Sequence, residues 1–308
     1  MLLLPLVCLT FISVSLVGYF SYRNGQESVN DVALQLRSEI NARIEDRLHD
    51  FLNTPHQIIR ANSNSIGHGL LDNSDQEALL KHFWEQIQVF DSVTSIYYGN
   101  TDGGLANAGR EMADGTLYKI YTNDFVKGQF NKYNTDRMGN ITDLIQVVPD
   151  FNATERQWYR RAVARGDNAW SEVYTLFTGD DLTISASCPV YNEEGILIGV
   201  TAADLFLSHF SSFLSNLAIG KTGQSYIIDC DGFLIASSSK QPYSSTGSSE
   251  VNRIRATEST IPLIASSAIE LVDENGTPPI SKNRWTLIST LKENVNSVLQ
   301  PHIAIVLD

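Results

Sequence analysis

The chain has 308 residues, of which 43% are hydrophobic and 19% are charged. This length exceeds one usual domain and the composition is ordinary for a globular protein, so we expect two modules and a membrane element. The formal net charge is -13, which argues against a nucleic acid partner because such binding depends on clustered lysine and arginine. The cysteines and histidines show no spacing typical of metal ligands, so we predict no metal site and no cofactor.

The first stretch, residues 1–20, carries no charge and is rich in Leu, Val, Ile and Phe. As a helix it is long enough to cross a hydrocarbon core of about 30 Å, so it is predicted to be a transmembrane helix. A cleaved signal peptide is the alternative, but the stretch has no basic start and no clear small-residue cleavage site before Ser21. The missing basic residues leave the orientation of the span open.

Residues 21–72 follow with the periodicity of a long helix. Apolar residues recur three or four positions apart among polar ones: Val29, Val32, Leu36, Ile40, Ile44, Leu48 and Phe51. Such a stripe predicts a stalk that packs against a downstream domain, against the same helix of a second chain, or against both. Gly67 and Gly69 are expected to end this helix, and Asn73 or Ser74 to cap a second one.

After Asp91 the apolar spacing changes from that of helices to that of strands. Five strands are predicted for one module at 73–207, and they cover residues 93–98, 117–121, 144–148, 182–190 and 196–205. Turns are expected at Asp102-Gly103 and Gly139-Asn140. Cys188 and Cys230 fall within β-like runs, where a buried free thiol is the common case and a bridge between the two stays open.

A weak internal echo predicts a second module of similar plan at 208–296. Residues 225–232 repeat the order seen at 95–103, in which a strand is followed by a turn of an acidic residue and glycine. A closing strand is expected at 285–291, and the apolar run at 297–308 is interpreted as the start of a second transmembrane segment. The repeated switch from helical to strand periodicity predicts an α+β fold of two modules stacked on the long helix.

The candidate binding residues lie within 152–204. Arg156, Trp158 and Tyr159 place a fixed cation and two aromatic rings within one helical turn. Asp204 closes the last apolar run with a carboxylate, so the set could hold a small zwitterion. The alternative is structural: the two rings belong to the core, the arginine pairs with an acid at the surface, and the aspartate caps the following helix.

Two stretches resemble enzyme motifs, and neither is complete. Residues 215–222 end like a phosphate-binding loop, but Ser215 replaces the first glycine and a helix rather than a strand precedes it. Asp229 and Asp231 lack the further oxygen ligands of a calcium loop, which favours a β-turn. The sequence has no nucleophile elbow and no paired zinc histidines. We therefore predict that this chain is not an enzyme and that any catalytic activity belongs to an output domain.

Several short stretches together carry a family resemblance. In chain order they are residues 18–26, His82-Phe83-Trp84, Arg156-Gln157-Trp158-Tyr159, residues 195–199 ahead of Asp204, and residues 220–226. In this order and spacing the chain resembles, over nearly its whole length, the extracytoplasmic double Cache sensor of bacterial transmembrane receptors, in particular of sensor histidine kinases.

The resemblance implies two PAS-like modules stacked on a long N-terminal helix. The ligand is expected in the membrane-distal module at 73–207, with 208–296 as the membrane-proximal module. The resemblance further implies a place in the inner (plasma) membrane with the sensor facing the periplasmic or extracellular side, a homodimer through the N-terminal helix, and a second span leading to a cytoplasmic output domain.

It also implies roles for individual residues. In the amino-acid-binding branch of the family, an Arg-x-Trp-Tyr set holds the ligand carboxylate, a following tyrosine lines the pocket and a later aspartate takes the ammonium group. The matching positions here are Arg156, Trp158, Tyr159, Tyr174 and Asp204. That branch has a tyrosine shortly before the arginine where this chain has Phe151, so a hydroxyl donor is lost while the apolar wall stays.

The expected function is small-molecule sensing by the input region of a membrane-bound signal-transduction receptor of the histidine kinase class. The expected ligand is an amino acid or related amine, ahead of a plain carboxylate. The alternative is a membrane-tethered solute-binding protein without signalling output. The apolar run at 297–308 favours the receptor, because a sensor must return through the bilayer to reach its output.

Overall fold

The computed structural model describes residues 3–111, 114–176, 182–216, 224–229, 231–239, 243–244, 252–271, 286–293 and 299–307. The chain divides into two compact units, residues 1–48 and 49–308. The described part contains five α-helices: α1 (Leu3–Gly67), α2 (Gln76–Val89), α3 (Gln157–Arg165), α4 (Leu207–Asn216) and α5 (Pro262–Leu271). The predicted end of the first helix at Gly67 is confirmed.

The described residues of the first unit belong to α1, and its large apolar side chains with a described burial, between Leu9 and Val32, are exposed. The exposed set includes Leu9, Phe11, Ile12, Val14, Leu16, Val17, Tyr19, Phe20, Val29 and Val32. Among the described residues, no helix combines the length and the apolar character that a membrane span requires.

The second helix begins slightly later than the sequence predicted. The N-cap of α2 is Asp75, whose carboxylate accepts a hydrogen bond from the backbone N–H of Ala78 at 3.0 Å. Ser74 is engaged elsewhere, because its N–H and hydroxyl both donate to the carboxylate of Asp72, at 2.8 and 2.7 Å. The prediction of Asn73 or Ser74 as the cap is therefore wrong, although the helix itself is confirmed.

A large antiparallel sheet dominates the second unit. Its nine strands are β1 (Ser95–Asn100), β2 (Leu105–Arg110), β3 (Leu117–Thr122), β4 (Gly128–Thr135), β5 (Ile141–Phe151), β6 (Ala169–Trp170), β7 (Tyr174–Thr175), β8 (Leu182–Tyr191) and β9 (Leu197–Phe206). They lie in the order β5-β4-β3-β2-β1-β9-β8-β6, and β7 also pairs with β8. The first and last strands in sequence, β1 and β9, are thus neighbours at the centre.

All five strands predicted for 73–207 are present, and four further strands were missed: β2, β4 and the two-residue strands β6 and β7. The segment of β2 reads Leu-Ala-Asn-Ala-Gly-Arg and has no β-branched or aromatic residue, which are the types that mark a strand in sequence. The segment of β4 has three residues of these types, Phe130, Tyr133 and Thr135, but is otherwise polar or glycine. Both are held by their neighbours in the sheet rather than by local preference. The turns at Gly103 and Gly139 are confirmed, with φ of 81° and 83°.

A smaller sheet follows in the chain. Its strands are β10 (Gln224–Asp229), β11 (Leu234–Ser237), β14 (Thr286–Glu293) and β15 (Leu299–Leu307), and β12 (Tyr243–Ser244) and β13 (Asn252–Arg253) form a separate pair. The order is β11-β10-β15-β14, with β10 and β15 parallel. The structure therefore differs from the prediction that 297–308 begins a second transmembrane segment. Several β-branched residues in this run favour the strand that pairs with β10.

The fold is a mixed helix and sheet structure, as the α+β prediction states, and its large sheet is antiparallel. The division into modules at 73–207 and 208–296, stacked on the long helix, stays a prediction. Two other interpretations involve positions outside the described residues: most of the loop-like stretch at 215–222, and Cys230 as a partner for the half-buried Cys188.

Helices cover both faces of the large sheet near β1. Trp84 of α2 lies near Lys119 of β3, whose ammonium is 5.8 Å from the ring centroid. Trp158 of α3 packs on Tyr97 of β1 instead, with ring centroids 4.9 Å apart. By the pairing register, Tyr97 and Lys119 point to opposite faces. The face under α3 carries the candidate site.

The last part of α1 packs against α2 through a buried polar cluster. The side chain of Asn62, which is fully buried, exchanges two hydrogen bonds with Gln86 at 2.8 and 2.9 Å. The ring nitrogen Nε2 of His82 lies 3.0 Å from the side-chain oxygen of Asn62. This cluster fixes α2 against the helix that precedes it, and α2 in turn covers β1 to β3.

The capping role of Asp75 is testable. Asp75→Ala removes the acceptor for the first turn of α2 and is expected to lower the free energy of unfolding by about 0.5–2 kcal/mol. Asp75→Asn is the matched control, because asparagine caps as well as aspartate. Urea denaturation of both variants measures the difference. Equal losses in the two variants would contradict the capping role.

Candidate functional site

A cavity of about 60 Å³ lies on the face of the large sheet beneath α3. On this measure one water needs about 10–15 Å³, so the space exceeds a single water several-fold. Five of the six residues predicted from sequence line it: Phe151, Arg156, Trp158, Tyr174 and Asp204. Further lining side chains that the sequence did not reveal are Ser95, Tyr97, Leu105, Asn107, Tyr118, Ile120, Phe130 and Leu176.

Tyr159 is the predicted residue that does not line this cavity. It is buried beside Trp158, with ring centroids 5.6 Å apart, and belongs to the same apolar cluster. Successive residues of a helix point about 100° apart, so Trp158 and Tyr159 cannot both face the same space. The structural alternative, in which these rings belong to the core, holds for both residues, and Trp158 in addition forms part of the wall.

Asp204 lies within β9, two residues before its end, and its side chain points into the network on the sheet face, so the interpretation of Asp204 as a helix cap is wrong. Ser95 of β1 and Ser185 of β8 lie directly opposite it on the two neighbouring strands. Residues opposite each other in an antiparallel pair point to the same face. The pairing register therefore places two serine hydroxyls on either side of one carboxylate.

The carboxylate of Asp204 is only 3% exposed and is held by three hydroxyl donors. Tyr97 and Ser185 donate to Oδ1 at 2.7 and 2.5 Å, and Ser95 donates to Oδ2 at 2.9 Å. The hydroxyl of Tyr174 lies 2.7 Å from that of Ser185 and extends the network. Burying a carboxylate without partners is very costly, so these donors are what allow it to remain here.

Burial nevertheless raises the pKa of Asp204 above its usual value of 3.8. The hydrogen bonds from Ser185, Tyr97 and Ser95 and the charge of Arg156 act in the opposite direction and do not fully offset burial. Burial and the nearby carboxylate also raise the pKa of Tyr97 and of Tyr174, so both hydroxyls stay protonated and able to donate.

Arg156 enters the cavity from the start of α3. It precedes the first residue of the helix, which ends at Gly166 in a left-handed conformation with φ of 69°. Burial lowers the pKa of its guanidinium, while Tyr174, Tyr97 and Asp204 act to raise it. Because arginine stays charged at neutral pH, the cavity carries a cation on its wall together with the buried carboxyl group of Asp204.

Two glycines make room for the aromatic walls. A Cβ added to Gly99 would lie 2.8 Å from the Trp158 ring, so a bare backbone on β1 is what lets this ring pack down on the sheet. A Cβ added to Gly109 would lie 2.4 Å from the hydroxyl end of Tyr118. Gly109 is opposite both Ser95 and Tyr118, so its missing side chain lets the Tyr118 ring lie across β2.

The hydroxyl donors were missed because they look ordinary in sequence. Ser185 belongs to the run Thr183-Ile184-Ser185-Ala186-Ser187, where small hydroxyl residues alternate with apolar ones. In a strand buried on both faces, such alternation places the hydroxyl groups on one face, and this pattern could have indicated a polar site there. Ser95 and Tyr97 show the same alternation on β1.

A family model described as "Cache domain" matches residues 23–297. The chain belongs to the Cache domain family. The resemblance inferred from sequence is confirmed by this match. Cache domains are ligand-binding sensory domains of chemoreceptors and histidine kinases, typically on the extracytoplasmic side of membrane receptors. They serve sensing and signal transduction rather than catalysis.

Comparison with solved structures finds sensory domains of low sequence identity. The ligand-binding domain of the Campylobacter jejuni chemoreceptor Tlp3 in complex with L-valine is 15% identical, with 89% of this chain and 88% of that chain covered and a TM-score of 0.49. The ligand-binding domain of the Pseudomonas aeruginosa PAO1 amino acid chemoreceptor PctC in complex with GABA is 15% identical, with coverages of 88% and 97% and a TM-score of 0.46. No curated protein matches the chain.

The close approach at Gly109 is testable. Gly109→Ala forces the buried Tyr118 ring out of place and is expected to lower the free energy of unfolding by about 1–3 kcal/mol. Tyr118→Leu removes the end of the ring that the new methyl group meets. In the double variant, the cost of the alanine should therefore be much smaller than in the single variant. Simple addition of the two single costs in urea denaturation would contradict this packing.

The raised pKa of Asp204 predicts a pH dependence of stability without ligand. The contribution of this group is fully present below pH 3.8 and is lost as the pH rises through the raised pKa. Asp204→Asn does not ionise, so its stability relative to wild type should increase over that pH range and then level off. Ser185→Ala removes a hydrogen bond that lowers this pKa, so it should move the loss to higher pH. A difference that stays flat from acid to neutral pH would argue against a raised pKa.

Proposed function

We propose that this chain is the input region of a membrane-bound signal-transduction receptor and that its cavity binds an amino acid or a related small amine. A plain carboxylate ranks behind these ligands. Membership of the Cache family supports the sensing role. The observation that carries the ligand class is that a buried carboxylate, Asp204, and a cation, Arg156, line one small cavity with aromatic walls.

The chemistry of these groups matches the two ends of an amino acid. The guanidinium of Arg156 offers a bidentate fork to a carboxylate. Asp204 supplies the opposite charge for an ammonium group. The rings of Trp158, Phe151 and Tyr174 line the cavity and exclude water, which strengthens both charge interactions.

The proposal also covers the roles of the two modules, the output class, the membrane anchor and the dimer. The ligand module is the membrane-distal one at 73–207, residues 208–296 form the membrane-proximal module, and the output is of the histidine kinase class. The uncharged apolar residues 1–20 support a membrane anchor, since their described side chains are exposed. Val29 and Val32, exposed at 70% and 63%, support a homodimer through the N-terminal helix. The sensor then faces the periplasmic or extracellular side of the inner membrane.

Two substitutions test the ligand class. Thermal-shift and calorimetric titration of the full chain would first rank the amino acids, and then compare the best one with its analogues lacking the amine or lacking the carboxylate. Arg156→Ala should weaken all carboxylate-bearing ligands by about 2–5 kcal/mol, because the ligand carboxylate is left unpaired. Asp204→Asn should weaken amine-bearing ligands and leave the fold intact.

Arg160→Ala is the matched control, because Arg160 is an exposed arginine one turn further along α3. It should bind as wild type does. If the best ligand stabilises wild type and Asp204→Asn equally, the role of Asp204 is wrong. If the best ligand carries neither an amine nor a carboxylate, the proposed ligand class is wrong.

A further inference from the structure

One polar atom in the cavity wall has no partner. Asn107 of β2 is 7% exposed and lines the cavity, and its side-chain oxygen is buried without a hydrogen-bond partner in the described structure. A buried acceptor left unpaired costs about 1–3 kcal/mol. Both carboxylate oxygens of Asp204 in the same cavity accept hydrogen bonds, whereas the amide oxygen of Asn107 accepts none.

The pairing register places Asn107 away from the charged groups. It lies directly opposite Tyr97 on β1, whereas Asp204 lies opposite Ser95 on the other side of β1. The two residues are thus two strands and one pleat repeat apart, which corresponds to about 12 Å between Cα atoms. The cavity therefore has a charged end near Asp204 and Arg156 and a second end around Asn107.

The second end is apolar except for one amide. Its other lining residues are Leu105, Ile120, Phe130 and Phe151, and none of them is charged. Lys132 lies over the Tyr118 ring at 4.2 Å, but its ammonium is paired with Glu111 at 2.5 Å. A charged ligand group placed here would be buried without an opposite charge, which is strongly unfavourable. A neutral group that donates a hydrogen bond to the oxygen of Asn107 is favoured.

The distance selects the length of the ligand. Asp204 and Asn107 point to the same face of the sheet, so the spacing of their side-chain oxygens is of the same order as the Cα separation, about 12 Å. Two collinear hydrogen bonds of about 2.9 Å each then leave about 6 Å between the ligand ammonium and its donor. An extended glutamine spans about this distance from its α-nitrogen to its side-chain nitrogen, and asparagine is one bond shorter.

We propose that Asn107 is a specificity-determining residue that accepts a hydrogen bond from the side chain of the bound amino acid, so that the site prefers a neutral side chain with a donor, above all a carboxamide. This inference rests on the proposed function, because it assumes that the zwitterionic end of the ligand lies at Arg156 and Asp204.

The test compares ligands that differ only in the donor. L-glutamine and L-asparagine would each be titrated into the full chain beside the methyl ketone isostere, in which CH₃ replaces the side-chain NH₂. Wild type should bind the better amide on the order of tenfold more tightly than its ketone. Asn107→Leu, which keeps the approximate shape of the side chain, should bind the amide and the ketone about equally.

A second readout separates ligand recognition from a structural role. Because the oxygen of Asn107 is unpaired without ligand, Asn107→Leu should leave the melting temperature of the free protein unchanged or raise it. Asn131→Leu is the control: Asn131 is a buried asparagine of β4 whose side chain bonds Asn123 and Gln129. This variant should lower the melting temperature and keep the preference for the amide.

The outcomes distinguish the two proposals. Equal binding of amide and ketone by wild type, or an amide preference that survives in Asn107→Leu, overturns the role of Asn107 even when amino acids bind. A clear loss of stability in ligand-free Asn107→Leu assigns the residue a structural role and overturns the inference as well. If no amino acid binds wild type, the proposed function fails and the inference fails with it.

Discussion

The candidate site depends on keeping the carboxylate of Asp204 buried in the middle of a sheet. Three hydroxyl donors meet this requirement, and they come from the two strands that flank β9. Their positions follow from the register, because Ser95 and Ser185 lie opposite Asp204 and Tyr97 lies two residues further along β1. A shift of either pairing by one residue would turn these donors to the other face and leave the carboxylate without them.

Neutral donors suit this carboxylate better than a fixed cation would. Hydroxyl groups satisfy the oxygens of Asp204 but leave its negative charge in place, so it can still attract an ammonium group. The charge of Arg156 acts on it as well, yet burial still outweighs all these contributions and raises the pKa of the carboxyl group. A ligand ammonium would offset that remaining cost, which links ligand binding to the ionisation of Asp204.

The sequence predicted the fold and the charged end of the site more fully than the second end. The Arg-x-Trp-Tyr stretch identified Arg156 and Trp158, and the end of the last apolar run identified Asp204. The strand periodicity of 182–190 and 196–205 predicted β8 and β9, which carry Ser185 and the carboxylate. Asn107 was not predictable, because β2 lacks strand-forming residues and its assignment depends on pairing with β1 and β3.

Tyr159 was predicted as a pocket residue because spacing along a helix does not say which of two adjacent rings faces a cavity. The strand at 299–307 was misread because an apolar run of that length fits both a strand and the start of a span.

Selection in such a cavity comes from the pair of opposite charges and not from either one. At an effective dielectric constant near 20, two unit charges about 5 Å apart interact by about 3 kcal/mol. A simple carboxylate that approaches Arg156 also approaches Asp204, so repulsion removes much of what it gains. A simple amine at Asp204 meets the guanidinium in the same way. A zwitterion places each of its charges next to the opposite charge of the protein, so both interactions are attractive and the filled cavity has no net charge. The structural feature that makes this possible is the small space that Arg156 and Asp204 share.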